Sequence, residues 1–314
     1  MGSDFGTLDQ STGAVAASMH QMMAIDQVLT SAVLILAGLA AVAFLLEIVL
    51  KKPVFGKFGY GLMVVAALAN FGELATRYSY MVKISPDYWP LSNLFESVMY
   101  IVVAIFAIYL VVDRMFKAPG FGLVSSFLVA IIIGLASLLP PRLKDAHPLV
   151  PSLQSYWLKV HVSLMLISYA AFFLSFVGAI LYLFFHYRDR LFAPRAAGAM
   201  AAKGAKASVA TLDMLDELTY RLVLLGFPLL AFGIILGGMW ANHAWGTYWS
   251  WDPKETWSLI TWLFYAAYLH VRLQREWRGT KAAWFAVLCF ASLLVTYLGV
   301  NYLATGLHTY GKLF

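Results

Sequence analysis

Residues 240–262 read WANHAWGTYWSWDPKETWSLITW and hold six of the chain's ten tryptophans. Indoles at this density have two physical readings. Tryptophan sits comfortably where lipid meets headgroups, so a cluster can anchor helix ends at a membrane interface. Several flat aromatic rings can also form a platform for a flat aromatic ligand, each ring contributing about 0.5–1.5 kcal/mol beyond area burial. Belt tryptophans are expected at several helix ends and at both interfaces, whereas these crowd one end of one helix pair. Within the stretch, Asp252, Pro253 and Glu255 stand at N-cap, N1 and N3, the pattern of a capping box that starts a helix there. That structural role does not exclude a second one.

The chain around it is a membrane chain. Its 314 residues are 61% hydrophobic and 12% charged, with a mean hydropathy of +0.76, too few charges to cover a soluble surface. Eight apolar runs are long enough to cross the hydrocarbon core: 27–50, 58–76, 93–112, 121–139, 159–186, 218–239, 257–273 and 282–302. The expected fold is therefore all-α, a polytopic bundle of about eight transmembrane helices. The weakest run, 58–76, carries Asn70 and Glu73. Residues 1–26 are expected to form an external tail and 27–314 one transmembrane domain, with an outer tryptophan-rich segment at 240–257. An inner connection at 187–217, rich in Ala, Gly and charge, reads as a loop with one short amphipathic piece. No basic n-region precedes an apolar run within residues 1–24, so the first span is expected to act as its own insertion signal. The lone cysteine, Cys289, excludes an internal disulfide or a Cys-rich metal site.

Counting Lys and Arg orients the bundle. With the N-terminus outside, inner connections hold 14 of the 22 basic residues and outer ones 7, leaving Arg221 at a helix start. The bias favours both termini outside, with the tryptophan-rich segment on the outer face. The net charge of +6 belongs to those inner connections and implies no nucleic-acid partner.

Ionisable residues within membrane spans are costly and so are candidates for function. Of the seven histidines, His161 lies at the outer end of the fifth span and His308 just beyond the eighth, also outside. His270 lies 13 residues after Trp257, about 20 Å further in along the seventh helix. There Leu259, Trp262, Ala266 and His270 share a face at 3–4–4 spacing, and on the eighth helix Tyr297, Asn301, Thr305 and His308 do the same. Two outer histidines flanking an aromatic shelf suit haem iron, whose porphyrin leaves two axial positions, better than zinc, which would want further protein ligands. A lone helical histidine is more often hydrogen-bonded filler. That reading holds for His186 beside a basic loop, whereas His20 lies in the tail and His147 lies in the Pro-rich loop LPPRLKDAHPL, where contact with solvent or a partner is expected. His243, inside the tryptophan segment, stays a reserve candidate ligand.

WGTYWSWDPKE, residues 245–255, resembles the WD segment, WGxxWxWDxKE, of the haem-handling membrane proteins of cytochrome c biogenesis. LITWLFYAAYLHVR, LQSYWLKVHVSLMLISYAAF and PLSNLFES resemble the CcsA (ResC) branch of that family, of which CcmC and CcmF are relatives. The resemblance covers most of the chain from about residue 25. It implies that His161 and His308 are the external axial ligands of haem b, held as transported substrate over Trp240, Trp245, Trp249, Trp251, Asp252, Trp257 and Trp262. It implies that His270 receives haem from the inner side, with the second inner ligand on a ResB-like partner. It implies work at the outer face of a bacterial inner membrane, with apocytochrome c presenting a Cys-x-x-Cys-His segment and a thioredoxin-like protein keeping its thiols reduced. The chain would then be part of a cytochrome c synthetase complex, contributing positioning and redox protection rather than a nucleophile or an acid–base pair. Lys254 and Arg77 are candidates to pair with the haem propionates. A cytochrome b-like electron-transfer subunit is the main rival, although one outer pair and one unpaired inner histidine fit it poorly. A solute transporter would predict broken helices and an inverted repeat.

Overall fold

The structure is a computed structural model that describes the backbone of residues 4–146, 154–192 and 199–300, and the side chains of 20–146, 154–188 and 209–300. The described residues form helices and no strand. They are α1 (Asp4–Leu50), α2 (Pro53–Met81), α3 (Leu94–Phe116), α4 (Pro119–Ser137), the single turn α5 (Pro141–Lys144), α6 (Tyr156–Phe192), α7 (Ala199–Trp245), α8 (Pro253–Arg272) and α9 (Thr280–Leu294). From α9 the chain runs on through a π-helical turn at Val295–Gly299. Local chemistry sets the breaks. α2, α4 and α8 each begin with proline in the first turn, where its missing N–H costs nothing. Lys51 and Lys117 adopt left-handed φ of 55° and 46° at the tight connections before α2 and α4.

Among the described residues, seven helices are long and apolar enough to cross a membrane. The eighth expected span is present as α8, but Trp, Tyr, Ser and Thr make it more polar than the rest. It packs between α7 and α9 all the same. α1 to α4 form one group and α6 to α9 a second, joined where α3 and α4 meet α6. α6 is the most deeply buried span, and one core runs through both groups, from Met99, Phe106 and Tyr109 to Phe172 and Tyr265.

Helix α1 begins at Asp4, so residues 4–26, His20 among them, are continuous in helix with the first span. One expectation drawn from composition is corrected. In the connection expected as a loop at 187–217, α6 continues to Phe192 and α7 starts at Ala199. The Ala, Met, Leu and Lys there are strong helix formers, and that preference outweighs the polar composition.

The buried residues of α8 are Glu255, Ser258, Thr261, Tyr265, Tyr268 and Arg272, and the shared face of Leu259, Trp262, Ala266 and His270 is not among them. In a bilayer the hydroxyl, carboxyl and guanidinium groups must find partners inside the bundle, so they turn inward and the apolar face turns out.

Candidate haem-binding site

A cavity opens at the end of the bundle where the α2–α3, α4–α6 and α7–α8 connections meet. Its volume is about 220 Å³. Its walls are mostly apolar. Leu158, Val162, Met165, Leu166 and Tyr169 come from α6, Ile234 and Trp240 from α7, and Leu91 and Leu94 from the start of α3. A few polar side chains converge on it, among them His161, Lys254, Glu255 and Ser258. An apolar cleft with few, placed polar groups is the usual form of a cofactor site.

His161 is held in one tautomer. Its Nδ1 lies 2.6 Å from the carbonyl oxygen of Gly233 on α7. A carbonyl can only accept, so Nδ1 carries the proton and, in the neutral ring, Nε2 carries the lone pair. Metal-ligating histidines are oriented by this kind of bond from the other ring nitrogen. Trp240, 1% exposed, lies nearly parallel to the imidazole at 6.2 Å and 14°. Trp245 meets Trp240 edge-on at 4.9 Å, and Trp157 packs against the same small cluster. Gly237 leaves the space that the imidazole occupies against α7.

The WD loop is pinned at both ends. Gly246, at φ 81°, ends α7 with its N–H donating to Asn242 O at 2.9 Å. At the other end the capping box forms as expected. The Asp252 side chain accepts from Lys254 N at 2.8 Å, and Glu255 Oε2 accepts from Ser250 N at 2.7 Å and Asp252 N at 3.2 Å. Between these caps Trp251 takes a left-handed φ of 58°, an uncommon conformation for a non-glycine residue, and stands 68% exposed. Trp249 meets it edge-on at 5.7 Å and lines the cavity. Lys254 is half-buried on the cavity wall. Desolvation pushes its pKa down to about 8, against the upward pull of Asp252.

The start of α3 repeats the same device, using the Ser92-Asn93 and Glu96 of PLSNLFES. Asn93 Oδ1 accepts from Glu96 N at 2.9 Å, and Glu96 Oε2 accepts from Ser92 N and Ser92 Oγ at 2.7 and 2.8 Å. From the π-helical turn, Thr296 and Tyr297 complete the wall, with Tyr297 OH 2.7 Å from Ser97 Oγ. The spacing of a capping box marks Ser92, Asn93 and Glu96 in the sequence. Met165, Tyr169 and Tyr248 reach the cavity through packing and carry no comparable signal.

The structure thus brings His161, Trp240 and Trp249 to one cavity, with Trp245 behind Trp240. Asp252 acts as a helix cap, 7% exposed. Trp257 sits under the π-helical turn, its carbonyl accepting from Thr296 Oγ1 at 3.0 Å, and Trp262 stacks on Phe227 of α7 at 5.2 Å. Neither ring lines the cavity. His270 is exposed near the opposite end of α8, and His243 is exposed in the last turn of α7. His186 stacks on Tyr182 of its own helix at 6.0 Å. His308, Asn301, Thr305 and His147 lie outside the described residues.

Arg77 is corrected as a rim residue. It is 4% exposed and donates through Nε and Nη2 to Asp26 at 2.8 and 2.6 Å. Its Nη1 reaches Lys144 O at 2.9 Å and Glu96 Oε1 at 3.4 Å, and Tyr88 OH also donates to Glu96. A guanidinium already engaged by two carboxylates is not available to a ligand, which among the described residues leaves Lys254 as the cation on the cavity wall.

Residues 91–308 match the family model of the cytochrome c assembly proteins. The chain is 35% identical to a cytochrome c biogenesis protein CcsA of Gloeobacter violaceus, over 93% of this chain and 98% of that one. It is 39% identical to CcsA of Guillardia theta, over 88% and 93%, and 35% identical to CcsA of Synechocystis sp., over 92% and 98%. Among solved structures it is similar to the cytochrome c haem lyase CcmF, with a TM-score of 0.66 at 17% identity. That likeness of fold covers 92% of this chain and 48% of CcmF.

Proposed function

The chain belongs to the cytochrome c assembly protein family, and from that membership we propose that it binds haem in the membrane and presents it for attachment to apocytochrome c. The observation that carries this reading is His161, whose Nδ1 proton is committed to Gly233 O while its ring stands on the cavity wall beside Trp240. Such an imidazole is set to offer Nε2 to iron. The second axial ligand in this reading is His308, downstream of Thr296 and Tyr297 at the cavity wall. Haem b is the substrate held there, its ring against Trp240 and Trp249 and a propionate against Lys254.

Attachment asks little acid–base chemistry of this chain. Each cysteine thiol of a Cys-x-x-Cys-His segment adds across a haem vinyl group. Sulfur bonds one carbon, the thiol hydrogen ends on the other, and no electrons are exchanged overall. The chain's share is to hold the ring, keep solvent from one face and release an axial position to the incoming histidine. The excess of basic residues in alternate connections supports a WD loop facing the outer side of a bacterial inner membrane, with both termini there. His270, exposed near the other end, fits a haem entry point completed by a ResB-like subunit. A thioredoxin-like protein is the natural supplier of reduced apocytochrome thiols.

The test is the dithionite-reduced absorption spectrum of the full chain, purified alone and with a ResB-like subunit, as wild type, His161→Ala and His308→Ala. A six-coordinate low-spin spectrum in wild type, converted by each substitution to a weaker-ligand form that added imidazole restores, is the expected result. Haem-free wild type from both preparations, or a spectrum indifferent to both substitutions, overturns the reading.

A further inference from the structure

The buried stripe of α8 runs from the cavity to the opposite end of the bundle. Glu255, Ser258, Thr261, Tyr265, Tyr268 and Arg272 follow one another at three or four residues and so form a single line along the helix. From Glu255 to Arg272 the helix rises about 25 Å. Glu255 and Ser258 line the cavity, while at the far end Arg272 pairs with Asp216 of α7.

Two members of the stripe are satisfied within the protein. Ser258 Oγ donates to Glu255 O at 2.7 Å, and Thr261 Oγ1 lies 2.7 Å from Thr296 Oγ1. The rest are satisfied only in part. Glu255 Oε1 and the Tyr265 hydroxyl have no hydrogen-bond partner among the described residues, while the Tyr268 hydroxyl and the Arg272 guanidinium have each other and the guanidinium also has Asp216. Yet Tyr265 and Tyr268 are 0% exposed and Arg272 7%. Buried polar groups left without protein partners are the ones that ordered water serves. Residues three or four apart on a helix are stepped by about 4.5–6 Å, close to the roughly 5.5 Å spanned by a donor–water–acceptor bridge. The ring of Phe172, stacked on Tyr265 at 3.5 Å, closes one flank. Cys289 of α9 gives its thiol hydrogen to Phe264 O.

We propose that this stripe is a hydrated proton path, a file of water held by the hydroxyls of Thr261, Tyr265 and Tyr268 between the cavity and the Asp216–Arg272 end. A tyrosine hydroxyl both accepts and donates. It takes a proton from the water on one side and releases its own to the other, so the relay leaves every group as it was. Asp216 pairs with Arg272 and offsets its charge at the far end, where Arg278 also lies near Asp216. The ionisable side chains along the path are Glu255, Tyr265, Tyr268, Cys289, Tyr220, Asp216, Arg272 and Arg278. The path does not depend on which ligand the cavity binds, so it stands or falls separately from haem binding.

Two measurements on the full chain test it. In the first, hydroxyl radicals are generated from water by short X-ray pulses on the purified wild type, and oxidation is read by mass spectrometry. Tyr265 and Tyr268 are expected to be oxidised at rates within a few-fold of exposed Tyr248, while Tyr109, equally buried but outside the stripe, is protected. In the second, the chain is placed in phosphatidylcholine–phosphatidylglycerol vesicles containing a pH-sensitive dye, and a potassium diffusion potential is applied. Proton entry several-fold above protein-free vesicles is expected for wild type and Tyr109→Phe, falling to the protein-free rate in Tyr265→Phe/Tyr268→Phe. Protection of both tyrosines equal to that of Tyr109 overturns the proposal. So does wild-type flux no greater than in empty vesicles, or undiminished flux in a folded double variant. The first measurement needs no variant and decides the matter even if the double substitution fails to fold.

Discussion

Gly237 lies directly against the imidazole of His161: a Cβ on that glycine would stand 2.7 Å from Cε1 and 2.9 Å from Nδ1 of the ring. The same ring is bonded to Gly233 O one turn earlier on α7, so α7 sets both the orientation and the depth of the candidate ligand. Gly237→Ala is expected to push the imidazole off this seat while His161 itself is retained. A displaced ligand should weaken haem retention by roughly tenfold, about 1.4 kcal/mol, and shift the Soret band toward the spectrum of His161→Ala. Haem titration of the purified variant checks this, and a spectrum and affinity equal to wild type would remove α7 from the positioning of the ligand.

Lys254 gives a pH dependence of definite sign. Its pKa is depressed to about 8 by desolvation, and pairing with a propionate raises it again in the complex. Haem affinity should therefore be complete below about pH 8 and decline as pH rises through and above that value, where the lysine of the ligand-free protein has lost its proton. Lys254→Gln should bind more weakly at pH 7 and lose the step between pH 7 and 9. Equilibrium haem binding followed across that range distinguishes the two cases. A step of equal size in Lys254→Gln would assign it to another group.

What could be read from the sequence was local or periodic. The capping boxes at Asp252–Glu255 and Asn93–Glu96 span three residues, and their hydrogen bonds follow from that spacing. The apolar runs located the helices because a bilayer demands continuous apolar length. Arg77 was misread because its partners are 51 and 19 positions away, and no periodicity in α2 announces Asp26 or Glu96. In α8 the spacing shows which residues share a face but not which face turns inward, and the packed bundle decides that by where Tyr265, Tyr268 and Arg272 can escape lipid. The tryptophan cluster showed where the cavity is, but only packing reveals that Trp240 and Trp249 face it while Trp251 is exposed.

The Arg77 network should behave as a unit of stability. Arg77→Met leaves Asp26 and Glu96 as buried carboxylates that have lost their shared cation, and removal of one partner from such a network costs about 3–5 kcal/mol. Arg77→Lys keeps the charge but cannot reproduce the two-pronged contact with Asp26, so an intermediate loss is expected. Thermal unfolding in detergent, followed by helical circular dichroism, orders the three proteins. Wild-type stability in Arg77→Met, together with a loss of haem affinity, would return Arg77 to a role at the ligand.

Asp252 separates capping from ligand contact. Its side chain accepts from Lys254 N and it is 7% exposed, so its work is to start α8 and close the WD loop. Asparagine is as good an N-cap as aspartate, whereas alanine cannot accept the bond and costs about 0.5–2 kcal/mol. If capping is the role, Asp252→Asn should keep wild-type haem content and thermal stability. Asp252→Ala should lower both, because Trp249 and Lys254 flank the cap and face the cavity. If instead the carboxylate charge itself meets the ligand, Asn and Ala will lose haem equally while only Ala loses stability. Haem content per mole of protein, measured beside unfolding temperature for the two variants, divides these outcomes.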